Sequence, residues 1–347
     1  MGDALGRILA NNHVLDFGYP GLEETLRTLA GAGLRAVGAG RNVHDARRPA
    51  IVPLDGAGRA VILSVGMASS GIPEAWAASE RRPGIDFLAE PSQSAAADVA
   101  ARVQVVKRAG DVAVVSVHWG SNWGYDIADD QVSFAHALVD GGVDVVHGHS
   151  SHHPRPVEVY EGKLILYGCG DFIDDYEGIT GYEEFRDDLR LLFLVSLDRN
   201  SGQLVEAKMA PLQARRMRLR NASGEDSRWL CSMLERIGRR FGSRTWLDPD
   251  RQSHLETLDH KADRWIRAWL GDPSVSHPEE AHCFCDVRPH CAQLRHAFHL
   301  ESHRDTAEQH EAVICPHYMA DGLAIHRPHH LWTAVQPFRP QQQHDRL

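Results

Sequence analysis

Four of the seven residues in His147-Gly148-His149-Ser150-Ser151-His152-His153 are histidine. Neutral imidazole is a good ligand for zinc, manganese or iron. His149 and His152 stand three apart, and a loop leaving a strand can turn both rings toward one ion. His118 closes another apolar run, and Asn12-His13 followed by Asp16 adds an amide, a further imidazole and a carboxylate. Together these residues point to a metal site. Ser150 and Ser151 suit loop hydrogen bonding better than nucleophilic attack. Cys169, between Gly168 and Gly170, has no clear basic partner that would make it a nucleophile. Trp119 and Trp123 flank Gly120, and either wall the site or pack beneath it.

The elements that must position these groups are legible nearby. Val112–Val117 and Val143–Val146 are apolar runs of strand type, the first ending at His118 and the second at His147 and His149. Between them Gln131–Val139 reads as a helix with Phe134, Ala135 and Leu138 on one face, and His136 as a partly buried side chain. Strand, helix, strand implies a parallel pair, whose ligand site lies beyond the carboxyl ends of the strands. Both histidine clusters are thus expected at one rim.

Before this stretch, Leu22, Leu26 and Leu29 mark a helix, Leu34–Val37 and Val61–Val65 strands, and Gly38–Arg41 a tight loop. Glu74–Pro91 reads as an excursion over the rim, and Ser92–Ala109 as a helix. After it, Val157–Tyr160 and Leu164–Tyr167 around Glu161-Gly162-Lys163 carry a hairpin signal. Leu191–Leu197 and Leu204–Met209 are strands that pair through Asn200-Ser201-Gly202, and Ser227–Phe241 is a helix. The alternation predicts an α/β layered fold.

Beyond residue 250 the character changes. Fourteen of the 22 histidines and four of the six cysteines lie there. Periodicity is weak apart from a short helix at Asp259–Leu270. The spacings of Cys283, Cys285, Cys291 and Cys315 match no paired zinc knuckle. The expected organisation is one domain over residues 1–250 and a poorly ordered His/Cys/Pro-rich tail over 251–347. A formal net charge of −10 argues against a nucleic-acid partner, and no apolar run reaches the ~20 residues of a membrane span. As the sequence stands, the expected location is cytoplasmic.

Several motifs, in order, resemble a known family. They are Ala10-Asn11-Asn12-His13 with Leu15-Asp16-Phe17-Gly18, Gly38-Ala39-Gly40-Arg41-Asn42 with Ala46-Arg47, and His118-Trp119-Gly120. Phe134-Ala135-His136, Gly142–Val146, Gly148-His149 with His152, and Gly162–Tyr167 follow. From about residue 8 to about residue 248 the chain resembles the CapA-type poly-γ-glutamate capsule-synthesis proteins, which are similar to calcineurin-like metallophosphoesterases.

That resemblance implies a four-layer αββα sandwich with two divalent ions (manganese, iron or zinc) between its sheets. It makes Asn12, His118, His149 and His152 metal ligands, His13 the acid that protonates a leaving oxygen, and Asp16 the group that orients His13. The family opens on a strand ending in Gly-Asp whose aspartate binds metal. Met1-Gly2-Asp3 has that look but lies directly against the Asn-His motif. Asp3 is therefore a further candidate ligand and the domain is expected to be N-terminally abbreviated, with an unpaired sheet edge and a weaker metal set if that strand is missing. The family's membrane anchor has no counterpart, so an extracytoplasmic or membrane-associated site is the alternative if a preceding segment exists. The implied function is a metal-dependent hydrolase acting on phosphoester or amide bonds of an anionic polymer such as polyglutamate, alongside capsule-synthesis partners. The rival is a non-catalytic accessory protein that keeps the fold. An anionic substrate calls for a locally basic rim, for which Arg41, Arg47, Arg48, Arg81, Arg82 and Arg155 are candidates; Arg41, Trp119 and Trp123 are the substrate-contacting candidates.

Overall fold

The protein is described by a computed structural model covering residues 6–54, 58–174, 179–248, 253–257 and 309–314. The chain opens with β1 (Gly6–Ile8), α1 (Gly18–Gly31), β2 (Arg35–Val37), β3 (Ala39–Gly40) and the single-turn α2 (Val43–Ala46). There follow β4 (Ala50–Pro53), β5 (Arg59–Met67), the short β6 (Gly84–Ile85) and β7 (Phe87–Leu88), and α3 (Gln93–Val106). The central unit is β8 (Val112–His118), α4 (Asp129–Asp140) and β9 (Val145–His149), followed by the hairpin β10 (Val157–Tyr160) and β11 (Lys163–Leu166). The remainder is β12 (Leu189–Asp198), β13 (Leu204–Ala214), β14 (Leu219–Asn221), α5 (Gly224–Gly238), β15 (Ser243–Leu247), β16 (Ser253–Thr257) and β17 (Gln309–Ile314).

Two larger sheets form a mixed α/β structure. The first has strand order β10-β11-β9-β8-β5-β4 with β7 alongside β5, and its centre (β11, β9, β8, β5) is parallel. The second is antiparallel, in the order β15-β16-β13-β12-β17, with β14 on β13. Every residue of β8 is buried, because both of its faces are covered. Ala113, Val115 and Val117 pack with Val99 and Val103 of α3 and Phe134 and Leu138 of α4. Val112 and Val114 face the other way, into a core shared with Leu191, Phe193 and Val195 of the second sheet and Leu230 and Leu234 of α5. A period of two thus divides one strand between two cores.

Local chemistry explains the boundaries. Ser92 and Ser223 cap α3 and α5 by accepting from the backbone N–H three residues on. The α5 cap, with Glu225 and Asp226 in the first turn, starts that helix ahead of its periodic apolar stretch. The β10–β11 turn has Glu161 and Gly162 both at positive φ (50° and 73°), the type I′ conformation suited to a two-residue hairpin.

At three places the structure adds to what the sequence indicates. The Gly38–Arg41 loop contains β3, whose two residues pair with Ile85 and Gly84 of β6. A side chain on Gly40 would lie 2.4 Å from the Ala46 amide nitrogen, which is why the loop can close there. Beyond residue 250, β16 joins the second sheet between β15 and β13, and β17 pairs with β12, although the sequence shows little periodicity there. β1 is short but paired, parallel to β2. The Asp259–Leu270 helix and the four late cysteines lie outside the described residues. No helix among the described residues is long and apolar enough to cross a membrane.

Candidate functional site

The register Ser116↔His147 and His118↔His149 brings the two histidine-bearing strand ends side by side. β11 lies parallel to β9 on its other side, so the loop after β11 reaches the same rim. Between these ends and the segment after β1 is a cavity of about 100 Å³. Asn12, His13, His118 and His152, four of the residues singled out from sequence, line it. Asn11, Asn122, Ser150, Asp171, Ile173 and Asp174 complete the wall.

His118 is 3% exposed, and its Nε2 meets the Asn12 side-chain oxygen at 3.1 Å. His149, 1% exposed, sits directly behind, with its Nδ1 2.9 Å from the Nδ1 of His118. His152 donates from Nδ1 to Asp171 at 2.8 Å, which leaves Nε2 as its basic nitrogen. Burial alone would lower the His152 pKa, but the Asp171 hydrogen bond and charge outweigh it and hold the group above its ordinary value. His13 is largely exposed and bonds through Nδ1 to Asp16 at 2.8 Å. The Asn11 side chain accepts from the His13 amide at 2.9 Å and fixes the turn that presents the ring.

Backbone geometry serves these placements. Gly148 lies within β9, where an added Cβ would stand 2.5 Å from the Leu166 and Tyr167 carbonyl oxygens and 2.7 Å from the Trp119 indole nitrogen. The unusual conformation falls at Ser150, with φ 109°, a strained region for a residue with a side chain. It turns the chain from β9 toward the loop bearing His152.

The remaining candidates lie elsewhere. Trp119 is 1% exposed, packs against Phe134 and Tyr167, and donates its indole N–H to the Tyr167 carbonyl, so it belongs to the core. Trp123 is at the rim, 5.2 Å between ring centres from His152 and stacked on Tyr182 at 4.2 Å. Arg41 pairs with Glu23 at 2.9 Å and does not line the cavity. Arg155, rather than lying on a basic rim, is 2% exposed and donates to the Ser121 carbonyl and hydroxyl at 2.8 Å, pinning the loop that carries Asn122 and Trp123. His147 bonds to Ser116 behind the site, and His153 is stacked on Phe185 and Trp123. Burial lowers the His153 pKa to about 4, so it packs as a neutral ring. Asp3 lies outside the described residues.

Sequence reading passed over Asp171 and Asp174. The signal was present in Gly168-Cys169-Gly170-Asp171, a break after a strand, but the neighbour of that strand was not. The wall offers imidazole, carboxylate and amide oxygen, donor types that could ligate a divalent cation. These donors ring the cavity; among the described residues no three His, Cys, Asp or Glu side chains converge on a single point as they stand.

Residues 6–176 match the family model described as bacterial capsule synthesis protein PGA_cap. The chain is 56% identical over 243 residues to a probable polyglutamine synthesis accessory protein of Mycobacterium tuberculosis, covering 70% of this chain and 64% of that protein. It is 33% identical over 179 residues to the PGA biosynthesis protein CapA of Bacillus subtilis (51% of this chain, 43% of that protein). To the capsule biosynthesis protein CapA of Bacillus anthracis it is 29% identical over 171 residues, 48% of this chain and 39% of that protein. The match spans the cavity-forming segments from Asn12 to Asp174, and on these grounds the chain belongs to the CapA-type family of bacterial capsule synthesis proteins.

Proposed function

We propose that the cavity is a metal-dependent hydrolase-type site, on a metallophosphoesterase-like αββα framework, acting on phosphoester or amide bonds in poly-glutamate or capsule synthesis. The observation that carries this reading is the gathering of Asn12, His118, His152, Asp171 and Asp174 around one cavity at the carboxyl ends of parallel strands. The names of the CapA relatives supply the polymer.

In this reading Asn12, His118, His149 and His152 hold the divalent ions, two when the set is complete, with Asp3 a further candidate. The ions, once bound, supply Lewis acidity toward the phosphorus or carbonyl centre. Asp171 fixes the ring orientation and tautomer of His152. Asp16 holds His13 with its remaining nitrogen available to protonate the leaving oxygen. Trp123, with Tyr182 stacked on it, forms the side of the mouth against which substrate would lie.

Elemental analysis, together with hydrolysis of bis-p-nitrophenyl phosphate and of poly-γ-glutamate, tests the proposal. Bound manganese, iron or zinc and turnover, both lost in His149→Ala, are expected. A metal-free protein inactive with added Mn²⁺, Fe²⁺ or Zn²⁺ would instead favour the second reading, a polymer-binding accessory protein. The mycobacterial relative's name, an accessory protein, supports that alternative.

A further inference from the structure

One fully buried cation approaches the site from the opposite sheet. Arg190, on β12 between Leu189 and Leu191, is 0% exposed. Its Nη2 donates to Asp174 at 2.8 Å and lies 3.9 Å from Asp171. Asp171 and Asp174 both line the cavity, and Asp171 accepts from His152. The connection therefore runs from the second sheet, through a guanidinium and two carboxylates, to an imidazole on the first.

Burying a guanidinium carries a large desolvation cost, and apolar residues of similar volume often stabilise such a position as well or better. Leu191, Phe193 and Val195 on the same strand take the apolar option. A charge at position 190 thus has a use that packing does not explain. Two carboxylates beside one cavity repel each other and tend to turn apart or take up a proton. A cation fixed behind them offsets that repulsion and holds the pair in place.

We propose that Arg190 is a positioning residue: it holds the Asp171–Asp174 pair and, through Asp171, fixes the orientation of the His152 ring toward the cavity. The proposal rests on the metal-site reading for its purpose, but the contact chain can be tested without metal. Arg190 is 0% exposed and is not among the residues that line the cavity.

The full chain, labelled with ¹⁵N-histidine and kept metal-free above the ordinary histidine pKa, should show a slowly exchanging Nδ1–H resonance assigned to His152 by its loss in His152→Gln. In Arg190→Met this resonance is expected to broaden or vanish while the thermal melting transition persists, and in Arg190→Lys to survive. Mn²⁺ titration calorimetry should show affinity falling about tenfold to hundredfold in Arg190→Met, with partial recovery in Arg190→Lys. A folded Arg190→Met that keeps the wild-type His152 resonance overturns the proposal. If Arg190→Met does not fold, Asp174→Asn removes the direct partner of Arg190, and an unchanged His152 resonance there has the same consequence. Failure of the wild-type chain to bind Mn²⁺ sinks the metal reading alone, since the resonance still decides the role of Arg190.

Discussion

His13, the proposed proton donor, is held in place with little burial. It is exposed, yet Asp16 and the Asn11 turn give its ring one orientation at the cavity mouth. A general acid of this kind contributes about 10²–10⁴ in rate, and chiefly when the leaving group is basic. His13→Ala is therefore expected to slow hydrolysis of alkyl phosphate esters by about that factor and to affect p-nitrophenyl esters much less; equal losses on both would remove the acid role. Asp171 lines the cavity and also holds the His152 ring. Asp171→Asn keeps the shape but weakens the hold on the His152 Nδ1–H, and metal affinity should drop about tenfold to hundredfold by titration calorimetry.

At the scale of elements, the site depends on β8, β9 and β11 lying close and straight beneath the loops. Gly148→Ala forces a methyl group against two carbonyl oxygens and the Trp119 indole. Overpacking of that kind costs about 1–3 kcal/mol, readable as a lower midpoint in urea, and it should also disturb the His118–His149 pair one residue away. On the helix side, Phe134 of α4 is fully buried against Trp119 and the β8 valines. Phe134→Ala should cost about 3–5 kcal/mol through the cavity it leaves, with unfolding remaining a single transition if α4 and the first sheet are one cooperative unit.

For the whole molecule, acid stability reports on the ion pairs that tie the second sheet to its surroundings. Asp188 is raised by burial, but Arg186 and the Gln213 amide more than offset this and hold it below its ordinary value. Asp226 is lowered by Ser223 and then by the same Arg186. A carboxylate lowered in the folded state takes up protons in the unfolded state first. Its stabilisation is thus present above the ordinary carboxylate pKa and is lost as pH falls through the lowered folded value. The melting temperature should decline below about pH 4, and in Asp188→Asn it should be lower at neutral pH and flatter on the acid side. Metal content offers a second whole-chain check. Replacing Cys283, Cys285, Cys291 and Cys315 together by serine should leave it unchanged, because the proposed donors all lie before residue 175; its loss would move the metal into the late segment.

Strand and helix types, the parallel β8–α4–β9 unit and the rim where His118, His149 and His152 gather followed from the sequence, because fully buried β-branched runs and an amphipathic helix are local signals. Asn12 and His13 had suitable donor types, but it was the family resemblance that gave them defined roles beside the histidines, since 106 positions separate Asn12 from His118 and no periodicity spans such a gap. The second sheet was legible as strands but not as a partner to the first. That is why Arg190 passed unnoticed: a lone arginine in an apolar strand gains meaning only when Asp171 and Asp174 are found against it. Trp119 shows the converse, since its place beside a histidine in sequence suggested the site. The alternation of a strand end sends neighbouring side chains to opposite sides, and Trp119 went into the core. Residue type and local pattern determine which groups are capable of chemistry. Tertiary packing alone decides which of them face one another, because the cavity is made by loops and sheets that meet only when the two cores close.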